Sequence, residues 1–191
     1  METALGIIIG IGLSAACGFR IFVPLLIMNL AVSGGLLHLP AGFEWLGGSY
    51  AAVAFGTATV LEILGYYIPG VDHVLDIIAT PAAVVAGTIT TASMAVDLSP
   101  FMKWTLALIA GGGVAGLVQG TTVALRAKSS LATAGTTNFL VASLELVGAV
   151  MLALLAILFP VACLILILSF FFFAFKKIGR LVFGRRQIKN D

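Results

Sequence analysis

The sequence predicts an all-α integral membrane protein, and three features of its composition lead to this class. Hydrophobic residues make up 61% of the 191 positions, charged residues make up 9%, and the mean hydropathy is +1.18. A typical soluble domain carries about 25% charged residues. No stretch is polar enough for a separate soluble domain, so we expect one transmembrane domain over residues 1–175 and a basic cytoplasmic tail over residues 176–191.

The apolar runs predict six transmembrane helices, at about 4–32, 46–68, 74–96, 104–125, 131–155 and 157–175. As one helix the first run would be roughly 44 Å long, which exceeds a hydrocarbon core of about 30 Å. It must therefore tilt, kink near Gly18 or Pro24, or break. Pro81 inside the third run predicts a kinked or discontinuous helix. Pro160 lies in an unbroken apolar run, and it either turns between the last two helices or kinks one long helix.

Lysine and arginine residues set the expected orientation, because they stay on the cytoplasmic side of short loops. The basic residues from Lys176 to Lys189 place the C-terminus inside, and six crossings put a loop with Arg126 and Lys128 on the same side. We therefore expect both termini to be cytoplasmic and the protein to lie in the cytoplasmic membrane. No basic residue precedes the first apolar run, so we expect a retained helix rather than a cleaved signal.

Two segments of the chain repeat each other. Residues 61–65 read LEILG and are followed by Pro81, whereas residues 144–148 read LELVG and are followed by Pro160. This match predicts two three-helix repeats, over about 4–97 and 101–175, which would cross in opposite directions, as in many transporters. A weaker match joins two rows of mostly small residues that would let helix backbones approach closely: Gly12, Ala16 and Arg20, and Gly112, Gly116 and Gly120.

Each repeat carries a glutamate, Glu62 or Glu145, inside an apolar segment. A carboxylate at the centre of a membrane helix costs about 2.5–3.5 kcal/mol, so such residues usually have a role. We interpret the two glutamates as a cation or proton site at the repeat interface, with Arg20 as their counter-charge. Two alternatives stay open: the glutamates only lock helices by pairing with Arg20, Arg126 or backbone donors, and Arg20 only extends to the membrane surface.

Oxygen-bearing side chains near the glutamates extend the candidate ion pathway. Thr59 precedes Glu62, and Thr137 and Asn138 precede Glu145; their oxygens suit hard cations or a chain of waters. Two further acids, Asp72 and Asp76, would share one helix face. The alternatives are ordinary interhelical hydrogen bonds for the threonines and the asparagine, and helix capping for Asp72.

Several segments, taken in order, resemble the membrane family called domain of unknown function 4126. They are GFR at 18–20, LE at 61–62 leading to PGVD at 69–72, TAGTTN at 133–138 leading to SLE at 143–145, and Pro160. The resemblance covers nearly the whole chain up to the basic tail, and it implies a multi-pass architecture without implying an activity. Family members often carry an aspartate after the first glutamate and an arginine before the third-span proline, where this chain has residues 65–67 (GYY) and 79–80 (AT).

The sequence favours a small inverted-repeat transporter or channel for an inorganic ion or small solute, coupled to protons through Glu62 and Glu145. The alternative is a non-catalytic membrane scaffold or lipid-binding module. No metalloprotease, P-loop or dinucleotide motif is present, so we expect no enzyme activity and no cofactor. Two cysteines and two histidines indicate neither a disulfide framework nor a zinc site, and other metals are left open. The expected partners are the lipid bilayer and the ion or solute, without nucleic acid, and a homo-oligomer is left open.

Overall fold

The computed structural model describes residues 2–68, 70–133 and 137–183, with side-chain surroundings for all of these except residues 2, 73, 131–133 and 177–183. Residues 133–136 of the family-like motif and the basic tail beyond Lys176 therefore lie outside the described side chains. Within the described ranges the chain is helical and forms no strand. The helices are α1 (Glu2–Cys17), α2 (Phe22–Ser33), α3 (Ser49–Tyr66), α4 (Val71–Met94), α5 (Pro100–Leu106), α6 (Gly113–Thr133), α7 (Asn138–Leu158) and α8 (Pro160–Phe183).

The described residues form the apolar helices that the composition predicted, and such helices are typical of a membrane protein. Three described stretches are long and apolar enough to cross a membrane: Val74–Met94, Pro100–Ser130 and Asn138–Leu158. Shorter apolar helices cover Thr3–Cys17, Phe22–Ser33 and Pro160–Lys176. The second of the long stretches joins α5 to α6 through a π-helical segment at Ala107–Gly112, and a short 3₁₀ helix at Glu44–Gly47 precedes α3.

The first apolar run does not form one span. Helix α1 runs antiparallel to α4, because Thr3 lies beside Asp97 at the end of α4, and Ser14 Oγ donates a 2.6 Å hydrogen bond to the carbonyl oxygen of Gly87. Helix α2 then runs back to the same end of the bundle, where Ser93 Oγ lies 3.8 Å from Met28 Sδ. Of the three outcomes expected for this long run, a tilt, a kink or a break, the structure has the break. The chain turns back between Cys17 and Phe22 into a helical hairpin.

The other helices alternate in direction through the bundle. Asn29 Nδ2 on α2 donates to the carbonyl oxygen of Leu46 at 2.6 Å, which fixes the end of α2 beside the start of α3. Helix α4 is continuous through Pro81, so the expectation of a discontinuous helix there is wrong. At the other proline, Cys163 Sγ lies 3.9 Å from the carbonyl oxygen of Leu152, a distance that only a reversal of the chain allows. Pro160 therefore begins a new helix that packs back along α7.

One predicted loop proves to be helix. Arg126 and Lys128 lie within α6, which continues to Thr133, and α7 begins only at Asn138. The sequence placed a boundary at these residues because charges interrupt an apolar pattern, but Arg126 is buried, with 2% of its surface exposed. Its charge is accommodated by acids of other helices rather than by water.

Glycines on α1 bring it close to its neighbours. A Cβ atom added at Gly10 would lie 2.8 Å from Thr91 Cα of α4, and one added at Gly12 would lie 2.6 Å from Ala156 Cβ of α7. Helix backbones at such sites approach as they do at small-residue faces in membrane proteins. The second predicted row behaves this way only in part, because a Cβ at Gly116 would meet Val84 whereas one at Gly120 would face open space.

Candidate functional site

The turn of the α1–α2 hairpin places Arg20 inside the bundle. Only 1% of the surface of Arg20 is exposed. One guanidinium nitrogen, Nη2, donates a 2.9 Å hydrogen bond to the carbonyl oxygen of Ala142 and lies 3.5 Å from Glu145 Oε2, both on α7. The hairpin tip is therefore fixed against α7 by a charge and a backbone carbonyl.

Glu62 of α3 caps the return helix of this hairpin. Its Oε1 accepts the backbone N–H of Ile21 at 2.8 Å, and its Oε2 accepts the backbone N–H of Phe22 at 3.1 Å. The first N–H groups of a helix have no partner within the helix, and a negative charge there is favourable because of the helix dipole. The carboxylate thus stabilises a helix start that lies inside the bundle.

Arg126 of α6 joins two further acids. Its Nη1 donates to Asp76 Oδ1 of α4 at 3.0 Å, and its Nη2 forms an ion pair with Glu145 Oε2. All three side chains are buried. Glu145 therefore contacts two arginines, Arg20 and Arg126, that come from different helices.

Tyr66 of α3 lies between the arginines and Glu62. Its ring centroid is 3.7 Å from the guanidinium carbon of Arg20 and 4.3 Å from that of Arg126. Both distances suit cation–π attraction, which strengthens where the cation is removed from water. We define the charged cluster as these six side chains: Arg20, Glu62, Tyr66, Asp76, Arg126 and Glu145.

A second polar group lies where α4 and α7 begin. Asp72 lies in the first turn of α4, and its Oδ1 accepts the backbone N–H of Gly70, the N-cap residue of that helix, at 2.9 Å. Its other oxygen, Oδ2, accepts a 2.8 Å hydrogen bond from Asn138 Nδ2, and Thr137 Oγ1 lies 2.6 Å from Ser129 Oγ. These contacts tie the start of α4 to the start of α7 and the end of α6.

One protein family matches nearly the whole chain. A family model described as Domain of unknown function (DUF4126) matches residues 7–180. The chain belongs to this family. No curated protein and no solved structure matches the chain. The resemblance inferred from the sequence is thereby confirmed, and the DUF4126 region contains every residue of the charged cluster.

The structure of this DUF4126 chain brings half of the predicted site residues together. Arg20, Glu62, Asp76 and Glu145 meet in the charged cluster, whereas Asp72, Thr137 and Asn138 form the second polar group, one helical turn or more away along the chain. Thr59 is buried on α3 one turn before Glu62, and its hydroxyl has no hydrogen-bond partner among the described residues.

Sequence reasoning missed Tyr66 and misplaced Arg126. Tyr66 carried a usable signal, because it lies four residues after Glu62 and therefore on the same helix face. The sequence allowed Arg126 to be either a partner of the glutamates or a loop cation. Its partners are acids of α4 and α7, and the sequence around Arg126 does not show that these acids lie beside it.

Several buried polar atoms of the cluster lack a hydrogen-bond partner among the described residues. They are Nε and Nη1 of Arg20, Nε of Arg126 and Oε1 of Glu145. Buried polar side-chain atoms are nearly always satisfied by protein or by water. The cluster of this DUF4126 chain can therefore accept further polar partners, with donors on both arginines and an acceptor on Glu145.

The charges of the cluster also do not balance formally. Three carboxylates, those of Glu62, Asp76 and Glu145, face the two guanidinium groups of Arg20 and Arg126. Among the described side chains, no group of three or more histidines, cysteines or acids is placed to hold a metal ion.

Proposed function

We propose that the protein is a small membrane transporter or channel for an inorganic ion or small solute, with the charged cluster in its path. The observation that carries the proposal is the set of unsatisfied atoms on Arg20, Arg126 and Glu145. Buried donors and acceptors are nearly always satisfied by protein or by water, so these atoms call for polar partners beyond the described residues. A site that takes up and releases a polar partner keeps such atoms available.

The interrupted first run supports the same proposal. In many transporters the substrate site is formed where a helix breaks inside the membrane and the start of a half-helix faces a charge. Here α2 starts inside the bundle, and the charge that it faces is Glu62 of the protein itself.

We further infer a membrane topology that differs from six crossings. The α1–α2 hairpin would be re-entrant, and α3, α4, the joined α5–α6 helix, α7 and α8 would each cross once. With the basic C-terminus in the cytoplasm, five crossings place the N-terminus on the outer side. One contact supports an inverted relation of the two glutamate helices: Tyr67, just after the end of α3, lies beside Ser143 near the start of α7.

A scaffold is the second candidate function, and one observation favours it. Arg126 pairs with Asp76 and with Glu145, so a single side chain holds α6 against α4 and α7. Removing one partner of such a buried pair destabilises a protein strongly, whatever its function.

The deciding experiment is flux into proteoliposomes. The purified chain is reconstituted, and uptake of protons, monovalent cations, halides and small solutes is compared with empty liposomes and with a Glu145→Gln variant. We expect the native protein to take up one of these species and the folded Glu145→Gln variant to lose that uptake. Native protein that conducts none of them leaves the scaffold as the better proposal.

A further inference from the structure

Two adjoining cavities form an apolar groove between α2, α3 and α4. The first has a volume of about 270 Å³, with Glu62 and Tyr66 in its wall, and the second has a volume of about 500 Å³. The groove extends along α4 from Leu75 to Ile89, which corresponds to about 21 Å of helix. The two cavities share four lining residues: Ile21, Phe22, Ile78 and Ala82.

The groove opens toward the surface that would face lipid. Leu61 and Ile78 line it and are 64% and 59% exposed, and both are apolar. Exposed apolar side chains of this kind are expected to contact acyl chains in a bilayer rather than water. A molecule would therefore enter this groove sideways from the membrane, and it would need an apolar body of elongated shape.

Glu62 gives one end of the groove a negative charge. Each of its two oxygens accepts one backbone N–H, from Ile21 or Phe22, and a carboxylate oxygen can accept a second hydrogen bond. The dipole of α2 corresponds to about half a positive charge, so it offsets only part of the carboxylate charge. No lysine or arginine within the described residues lies within ion-pair distance of Glu62.

We propose that this groove binds an amphiphilic amine, with its ammonium group at Glu62 and its apolar tail along α4 toward Phe55 and Ile89. The proposal rests on the transport function proposed above and deepens it, because it names a solute class for one acid of the same cluster. The recognition elements are the carboxylate of Glu62, which Arg20 attracts from beyond ion-pair distance, and the wholly apolar walls beyond it. A neutral or anionic amphiphile of the same length matches the walls but not the charge.

The test measures equilibrium binding of radiolabelled dodecylamine to the full chain in phosphatidylcholine nanodiscs, with empty nanodiscs subtracted. Dodecanol and dodecyl sulfate are the neutral and anionic comparisons. Variant Glu62→Gln removes the charge, Ala82→Phe fills the groove without touching the carboxylate, and Glu44→Gln is the matched control on an exposed acid outside the groove.

Saturable binding of dodecylamine that is at least about tenfold tighter than binding of dodecanol is the expected result. We expect Ala82→Phe and Glu62→Gln to lower the affinity about tenfold and Glu44→Gln to leave it unchanged. If Glu62→Gln fails to fold, the proposal is tested by comparing the affinities for dodecylamine and dodecanol, measured on the native protein and on Ala82→Phe. Equal binding of amine and alcohol, or no saturable binding, overturns the proposal.

Flux measured on the same preparations separates this proposal from the transport proposal. Amine binding without flux of any ion, solute or amine keeps the groove site and overturns transport. Flux of an inorganic ion without amine binding overturns the groove site and keeps transport.

Discussion

Oε1 of Glu62 accepts the backbone N–H of Ile21 at 2.8 Å, so a side chain of α3 caps the helix that returns from the hairpin tip. This hydrogen bond couples a buried acid to the backbone rather than to a basic side chain. It explains how the first apolar run can turn back inside the bundle, since the N–H groups exposed by the turn have an acceptor.

The cap predicts the effect of replacing Glu62 with glutamine. Glutamine keeps one acceptor oxygen but presents an NH₂ group to the second backbone N–H, so one donor of α2 loses its partner. We expect a loss of about 1–2 kcal/mol of stability, seen as a lower melting temperature in detergent. Glu44→Gln makes the same change on an exposed residue of the 3₁₀ helix, whose Oε2 accepts the exposed backbone N–H of Gly42, and it should lower the melting temperature less. Equal melting temperatures for both variants would show that the cap contributes nothing.

The position of Arg126 predicts a larger effect. Arg126→Ala removes the partner of two buried acids, Asp76 and Glu145, and breaking such a network typically costs about 3–5 kcal/mol. We expect poor expression of folded protein, measured by fluorescence-detected gel filtration. Lys128→Ala is the matched control, because Lys128 lies two residues later on α6 and is exposed. A normal profile for Arg126→Ala would contradict the ion pairs.

The sequence predicted the parts of this fold that depend on local composition. Apolar runs located the membrane helices, and the isolated acids Glu62 and Glu145 were recognised because charges are rare in such runs. The hairpin at Arg20 could not be distinguished from a crossing, because an apolar run has the same composition whether it crosses a membrane or turns back within it. The excess length of the run was the only signal, and the acceptor that permits the turn is on another helix.

The sequence predicted several members of the charged cluster but not which side chains pair with each other. Arg20 and the two glutamates were expected to meet, and the structure brings Arg20 against Glu145 and Glu62 against the residues that follow Arg20. The partners Asp76 and Arg126 come from two further helices, whose relative position depends on close packing at glycines such as Gly10 and Gly116. That packing depends on the residues of two helices at once, so the apolar pattern of one helix does not predict it.

The close approach of α1 and α4 predicts opposite effects for two glycine substitutions. Gly10→Ala would place a methyl group 2.8 Å from Thr91 Cα, which forces the helices apart, and we expect a loss of about 1–3 kcal/mol. Gly120→Ala faces open space within a helix, so it should be neutral or should stabilise by up to about 1 kcal/mol. Thermal melting of the two variants checks this, and similar melting temperatures would argue against the α1–α4 contact.

The proposed re-entrant arrangement of the α1–α2 hairpin predicts that the two termini lie on opposite faces of the membrane. Because the basic residues favour a cytoplasmic C-terminus, an N-terminal fusion should be active only with a reporter that functions outside the cytoplasm. A C-terminal fusion should be active only with a cytoplasmic reporter. Both fusions reporting from the cytoplasm would restore six crossings and require α1 and α2 to span the membrane together.

The charge balance of the cluster predicts what Glu145→Gln does. The native cluster has three carboxylates and two guanidinium groups, and the substitution leaves Glu62 and Asp76 to face Arg20 and Arg126, so the formal charges become equal. If the excess acid serves transport, folding should survive and flux should fall at least about tenfold, because the group that binds the proton or cation is lost. If Glu145 only holds the arginines in place, the melting temperature should fall first, because two buried cations lose a shared partner.

Measuring both the flux and the melting temperature on one preparation, with Glu44→Gln as the control, distinguishes the two roles. A folded Glu145→Gln variant with native flux of every transported species would remove Glu145 from the transport proposal.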